Sequence, residues 1–172
     1  ITTRLIVWTI IVALLLLILV ARQLTNEVQL NETSAYILIL LAIGGFYELW
    51  QWLKIQTRIY RIAFGIGLMG MFFLGWVSGA VGIIGSENNP VNLMYWAVFA
   101  AGLIGSLVSR FKPLGMAYTL FVTALIQESI PVIALISSPK VSWGDAGVIG
   151  VFILNSIFAV FFIVSGLLFR LA

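Results

Sequence analysis

Six apolar runs, each long enough to cross a bilayer, follow one another along the 172-residue chain with little between them. They cover residues 5–21, 35–53, 62–84, 92–109, 114–137 and 146–169; the first carries no charge and one hydroxyl residue, Thr9. A helix needs about 20 apolar residues to span ~30 Å of hydrocarbon, a length these runs reach or approach. The pattern predicts an all-α fold: a polytopic transmembrane helical bundle of six helices, forming a single domain over 1–172. Residues 5–21 read as a span and not as a cleaved leader. The run is long, and Leu19 stands where a small residue would precede a cut after Ala21.

Composition supports that reading. The chain is 62% hydrophobic and 9% charged, with a mean hydropathy of +1.17, whereas soluble domains carry about 25% charged residues. Most of its surface must face lipid, and the connectors between spans leave no room for a soluble domain. Cysteine and histidine are both absent. Their absence excludes a disulfide framework, a thiolate metal site, the usual haem ligand and the most frequent general base. No cofactor and no resident metal are expected. The net charge of +3 does not point to nucleic acid, because scattered basic residues at helix ends orient a membrane protein.

Placing the connectors alternately on two sides separates the charges. One side takes Arg4, Lys54, Arg58, Arg61, Arg110, Lys112 and Arg170; the other takes Arg22 and Lys140 with Glu27, Glu32, Glu87 and Asp145. Basic residues stay cytoplasmic, so both termini are expected inside. From Trp52 to Ile62 apolar residues recur three or four apart, opposite Lys54, Arg58 and Arg61. This spacing predicts an amphipathic continuation of the second helix, its basic face toward anionic lipid. Trp50, Trp52 and Tyr60 at the inner boundary, with Tyr36, Tyr95, Trp96 and Trp143 at the outer, read as aromatic belts.

In lipid, helices associate through close backbone approach, which small residues permit. Gly75, Gly79 and Gly82 share a face of helix three, and Ala101 and Gly105 a face of helix four. They predict packing of helix three on helix four, or a subunit interface. The polar connector from Gly85 to Pro90 reads as a tight turn capping helix four.

Candidate chemistry concentrates in helix five. Thr119, Thr123 and Gln127 recur every four residues, Glu128 is adjacent, and Pro131 follows one turn later. Gln127 and Glu128 fall near the midplane, where polar groups face a bundle interior or a wet cavity. Pro131 has no N–H and leaves the Gln127 carbonyl without its helical donor. An acid, an amide and a bare carbonyl together could take a proton, a cation or a polar ligand. The alternative for Glu128 is interhelical glue, an uncharged acid bonded to Asn155 or Ser156. Glu48, near the end of helix two, reads as a snorkelling carboxylate that reaches Gln51, Trp52 or an interfacial basic residue.

Residues 62–135 resemble a family of small bacterial multi-pass membrane proteins to which no activity is assigned. The likeness rests on Trp76, Gly79–Glu87, Asn89-Pro90, Asn92–Tyr95, Gly102–Gly105, Arg110-Phe111, Pro113, Gly115–Ala117, Thr123-Ala124 and Gln127. It implies four shared helices, with helices one and two as an addition, a bacterial cytoplasmic (inner) membrane location, and Gln127 as the shared member of the polar group. Glu128 departs from the family pattern, in which a small residue follows the Gln.

Three function classes follow. The first expectation is an accessory or scaffolding subunit of a larger membrane complex, partnered by membrane lipids and by other subunits or further copies of itself. The alternative is a small transporter, proton-coupled permease or channel using Gln127 and Glu128, although no duplicated half with broken helices is visible. An enzyme is not expected, because no nucleophile–base pair or metal cluster is recognisable.

Overall fold

The computed structural model describes residues 2–24, 30–137 and 142–172. Glu27 and Lys140, part of the charge-sidedness argument, lie outside the described residues, as do the side chains of Arg22 and Glu32. All regular structure among the described residues is helical, with six helices long and apolar enough to cross a membrane. They are α1 (Thr2–Leu24), α2 (Leu30–Lys54), α3 (Arg58–Ala80), α4 (Trp96–Val108, entered through a 3-10 helix at Pro90–Tyr95), α5 (Pro113–Ser137) and α6 (Gly147–Arg170). The chain forms two compact units, residues 1–56 and 57–172.

In the first unit α1 packs on α2. Gly44 lets the helices approach: a Cβ there would stand 3.0 Å from Ile11 Cδ1 and 3.1 Å from Trp8 Cη2. Glu48 accepts from Arg4 Nε and from Trp8 Nε1, each at 2.7 Å, and pairs with the Arg4 guanidinium. An interfacial basic residue is therefore its partner, supplied by the other helix.

The second unit begins where the expected amphipathic continuation breaks. Helix α2 ends at Lys54, and Thr57 starts a new helix by accepting from Tyr60 N at 3.2 Å. Lys54 thus belongs to α2, whereas Arg58 and Arg61 belong to the first turn of α3. No single helix presents all three. A threonine hydroxyl that satisfies an orphan amide outweighs a continuous three-to-four periodicity.

Helix α3 also stops earlier than expected, at Ala80 instead of residue 84. Gly82 adopts φ +77°, and its N–H reaches back to Val77 O at 3.1 Å, closing the helix end. Asn89 Oδ1 accepts from Val91 N, and Pro90 opens the 3-10 helix. The connector is the capping turn its composition implied. The 13 residues of α4 reach only about 20 Å. The six-residue 3-10 entry adds roughly 12 Å and completes the span.

Packing within this unit is most extensive between pairs other than α3 and α4. Helix α5 packs on both α4 and α6, and α3 packs on α6; α3 and α4 share no extended contact. The α3–α6 seam is set by Gly67 and Gly70. A Cβ on Gly67 would lie 2.9 Å from Ser165 Oγ, and one on Gly70 2.9 Å from Phe161 Cβ. Buried Ser165 also donates to Ala63 O at 2.6 Å. Gly105 does mediate close approach, but to Thr119 of α5. Gly75 meets Phe99 of α4, and Gly102 of α4 meets Met71 of α3, so the two helices touch there; Gly79 meets nothing within 4 Å, and Ala101 is half-buried. Gly82 is a turn residue outside any helix.

Candidate functional site

Helix α5 has more buried residues than any other described helix, Thr119, Thr123 and Gln127 among them. Thr123, Gln127 and Asn155 are fully buried, and Thr119 nearly so. Four-residue spacing puts Thr119, Thr123 and Gln127 on one stripe, and that stripe meets α6 at Asn155. Thr123 Oγ1 donates back to Thr119 O at 2.8 Å, so its polarity is spent within its own helix.

Around this stripe, the bonds that join elements centre on Asn155. Its Oδ1 accepts from Gln127 Nε2 at 2.7 Å and from Tyr95 OH at 3.0 Å, while its Nδ2 donates to Val151 O at 2.8 Å. Only one amide orientation satisfies this set. The Val151 carbonyl can only accept, so Nδ2 must face it and Oδ1 must face the two donors. One side chain thereby ties α5, α6 and the 3-10 entry of α4 together. Gln127 Oε1 is buried and has no hydrogen-bond partner among the described residues. A buried acceptor left bare costs about 1–3 kcal/mol.

Tyr95 is the member that sequence reading missed. Its position at the start of a span suggested an aromatic belt, yet it is 1% exposed. The signal available was Asn92-Leu93-Met94-Tyr95 following Pro90, a 3-10 stretch that turns Asn92 and Tyr95 to the same side. Tyr60 was likewise expected in a belt and is buried, donating to Phe111 O at 2.8 Å. Glu128 is half-exposed; it bonds neither Asn155 nor Ser156, and among the described residues it makes no hydrogen bond. Among those residues no acidic cluster is placed to hold a metal ion.

The gap between α3 and α4 contains two cavities of about 340 Å³ each. The first lies toward the Gly82–Pro90 connector, lined by Ser78, Glu87, Asn92, Tyr95 and Trp96 among others. The second is apolar and runs toward the α4–α5 turn, past Leu68, Leu103, Met116 and Leu120. Phe99 borders both. The chain matches no protein-family model, no curated protein and no solved structure.

Proposed function

We propose that the chain is an accessory or scaffolding membrane subunit that works by binding another membrane component in the cleft between α3 and α4. The observation that carries this is the contrast between the two sides of the second unit. Behind, Asn155 ties α5, α6 and the α4 entry into one block. In front, α3 and α4 touch where Phe99 lies against Gly75 and Met71 against Gly102, and cavities open between the two helices, one of them lined by Gly75 and Gly79. A rigid back wall with an open front suits a receptor for something lateral in the bilayer better than a reaction chamber. In this reading the protein resides in a bacterial cytoplasmic membrane, with both termini inside.

The test is what leaves the membrane with the chain. Gentle detergent extraction of the tagged protein should recover a protein or lipid component at fixed ratio. A monodisperse species carrying neither would overturn the proposal.

The bare Oε1 of Gln127 supports a second reading, a small permease or channel. That reading requires Gln127→Ala or Glu128→Gln to abolish flux in proteoliposomes, and unchanged flux in both would remove it.

A further inference from the structure

The two cavities of the α3–α4 cleft differ in a way that identifies an occupant, given the binding role proposed above. A transmembrane helix does not fit. A helix is about 10 Å across with its side chains, so ~340 Å³ would admit less than one turn. The cleft is also pinched between the cavities, where the Phe99 ring lies against Gly75 and the Met71 methyl lies against Gly102. A flexible hydrocarbon chain can pass that constriction as the Met71 thioether swings aside; a helix cannot.

Polarity then orients the guest. The cavity toward the α4–α5 turn holds one hydroxyl, Ser106, and that is already committed to Gly102 O at 2.6 Å. It offers an acyl chain nothing but apolar wall. The cavity at the connector end lies where α3 and α4 both meet the membrane boundary. Its amides are spent on the loop itself: Asn92 binds the backbone of Ile83, Ile84 and Ser86, and Asn89 that of Ile84 and Val91. Among the described residues, Glu87 is the one charged residue lining either cavity, and Tyr95, Trp96 and Phe99 stand around the same space. A carboxylate with aromatic side chains lining the same cavity attracts an organic cation. An anionic headgroup would meet repulsion there, because Arg110 and Lys112 belong to the turn at the far end and do not line this cavity.

We infer that the cleft binds one membrane lipid with an ammonium-bearing headgroup at Glu87 and an acyl chain threaded past Phe99 and Met71 into the apolar cavity.

The test uses the full chain in mild detergent, mixed with equal amounts of dioleoyl phosphatidylethanolamine and dioleoyl phosphatidylglycerol, with retained lipid counted by native mass spectrometry. One ethanolamine lipid per chain should survive, preferred by about 5-fold or more, as one cation–aromatic contact would give. Glu87→Gln should remove the preference. Gly79→Leu should remove retention: it lines the connector-end cavity, and a Cβ there meets nothing within 4 Å. Its unfolding midpoint, measured alongside, shows that the variant is intact. Equal retention of both lipids, or undiminished retention in folded Gly79→Leu, would overturn the inference. A protein partner recovered at fixed ratio without lipid would also overturn it, yet leave the subunit reading standing. Recovery of neither would sink both.

Discussion

Replacing Asn155 by alanine removes the acceptor that two buried donors share, so Tyr95 OH and Gln127 Nε2 are both stranded. Each stranded donor costs about 1–3 kcal/mol, before any cavity is counted. Tyr95→Phe is milder, because Oδ1 keeps its bond from Gln127; about 0.5–1 kcal/mol suits a hydrogen bond between membrane helices. Gln127→Met should be mildest. It deletes one donor together with an acceptor that is already bare, and fills a similar volume. The expected order of lost stability is therefore Asn155→Ala, then Tyr95→Phe, then Gln127→Met. Titration with a denaturing detergent in mixed micelles checks it. If Gln127→Met were the most damaging, Oε1 would have a partner that the structure does not contain.

Glycines in and just beyond α3 look alike in sequence and differ sharply in structure. Gly82 sits at φ +77°, and a Cβ there would meet the Ser86 and Glu87 backbone at 2.5 and 2.7 Å. Gly82→Ala should cost well over the ~1–2 kcal/mol of a left-handed alanine alone. Gly79→Ala should be neutral, or stabilising by up to about 1 kcal/mol, since alanine is the better helix former and has room. Comparing the two in the same titration separates turn from stripe. A second element-scale device is the α4–α5 turn, where Arg110 and Phe111 are both left-handed, at φ 50° and 56°. The Tyr60 hydroxyl reaches Phe111 O at 2.8 Å across the base of the unit. Tyr60→Phe should cost about 1 kcal/mol and raise amide exchange at residues 110–112 ahead of the rest of α5. Uniform exchange along α5 would argue that the bond does not hold the turn.

These contrasts mark what was legible in the chain. Span number and approximate length followed from hydrophobic runs, because a bilayer leaves backbone polar groups few alternatives. The inward stripe of Thr119, Thr123 and Gln127 followed from four-residue spacing; Asn155 was expected to meet Glu128, and it is Gln127 that reaches it, because Gln127 and not Glu128 lies on the buried stripe. Periodicity could not separate Gly82 from Gly75 and Gly79, since a left-handed turn and a packing face ask for the same residue. Nor could it reveal that Thr57 caps α3, because Lys54, Arg58 and Arg61 keep helical spacing across the break. Tyr95 was misplaced for a third reason: an aromatic near a span end suits both a headgroup belt and a buried hydrogen bond, and only the 3-10 entry decides between them.

At the scale of the whole second unit, the structure fixes which charged groups share an end, and electrostatics must then say which end is inside. Gly85 and Gly144 are in contact, a Cβ on Gly144 standing 3.2 Å from Gly85 O, so the connectors bearing Glu87 and Asp145 lie together. At the opposite end Tyr60 bonds Phe111 O and stacks edge-on with Phe169 at 4.8 Å, which gathers Arg58, Arg61, Arg110, Lys112 and Arg170. Among the described residues of these connectors and helix ends, five basic residues thus face two acidic ones across the unit. Positive residues resist translocation, so the basic end should be cytoplasmic. The chain has no cysteine, which makes single-cysteine labelling clean. In intact cells an impermeant maleimide should modify Glu87→Cys and Asp145→Cys, and should reach Lys112→Cys and Arg170→Cys only after the membrane is opened. All four positions are exposed, so failure to label reports sidedness and not burial. The reverse pattern would mean the unit inserts against its own charge bias. The Glu87 end of the cleft would then open to the cytoplasmic leaflet, and its ammonium-bearing lipid would have to come from that pool.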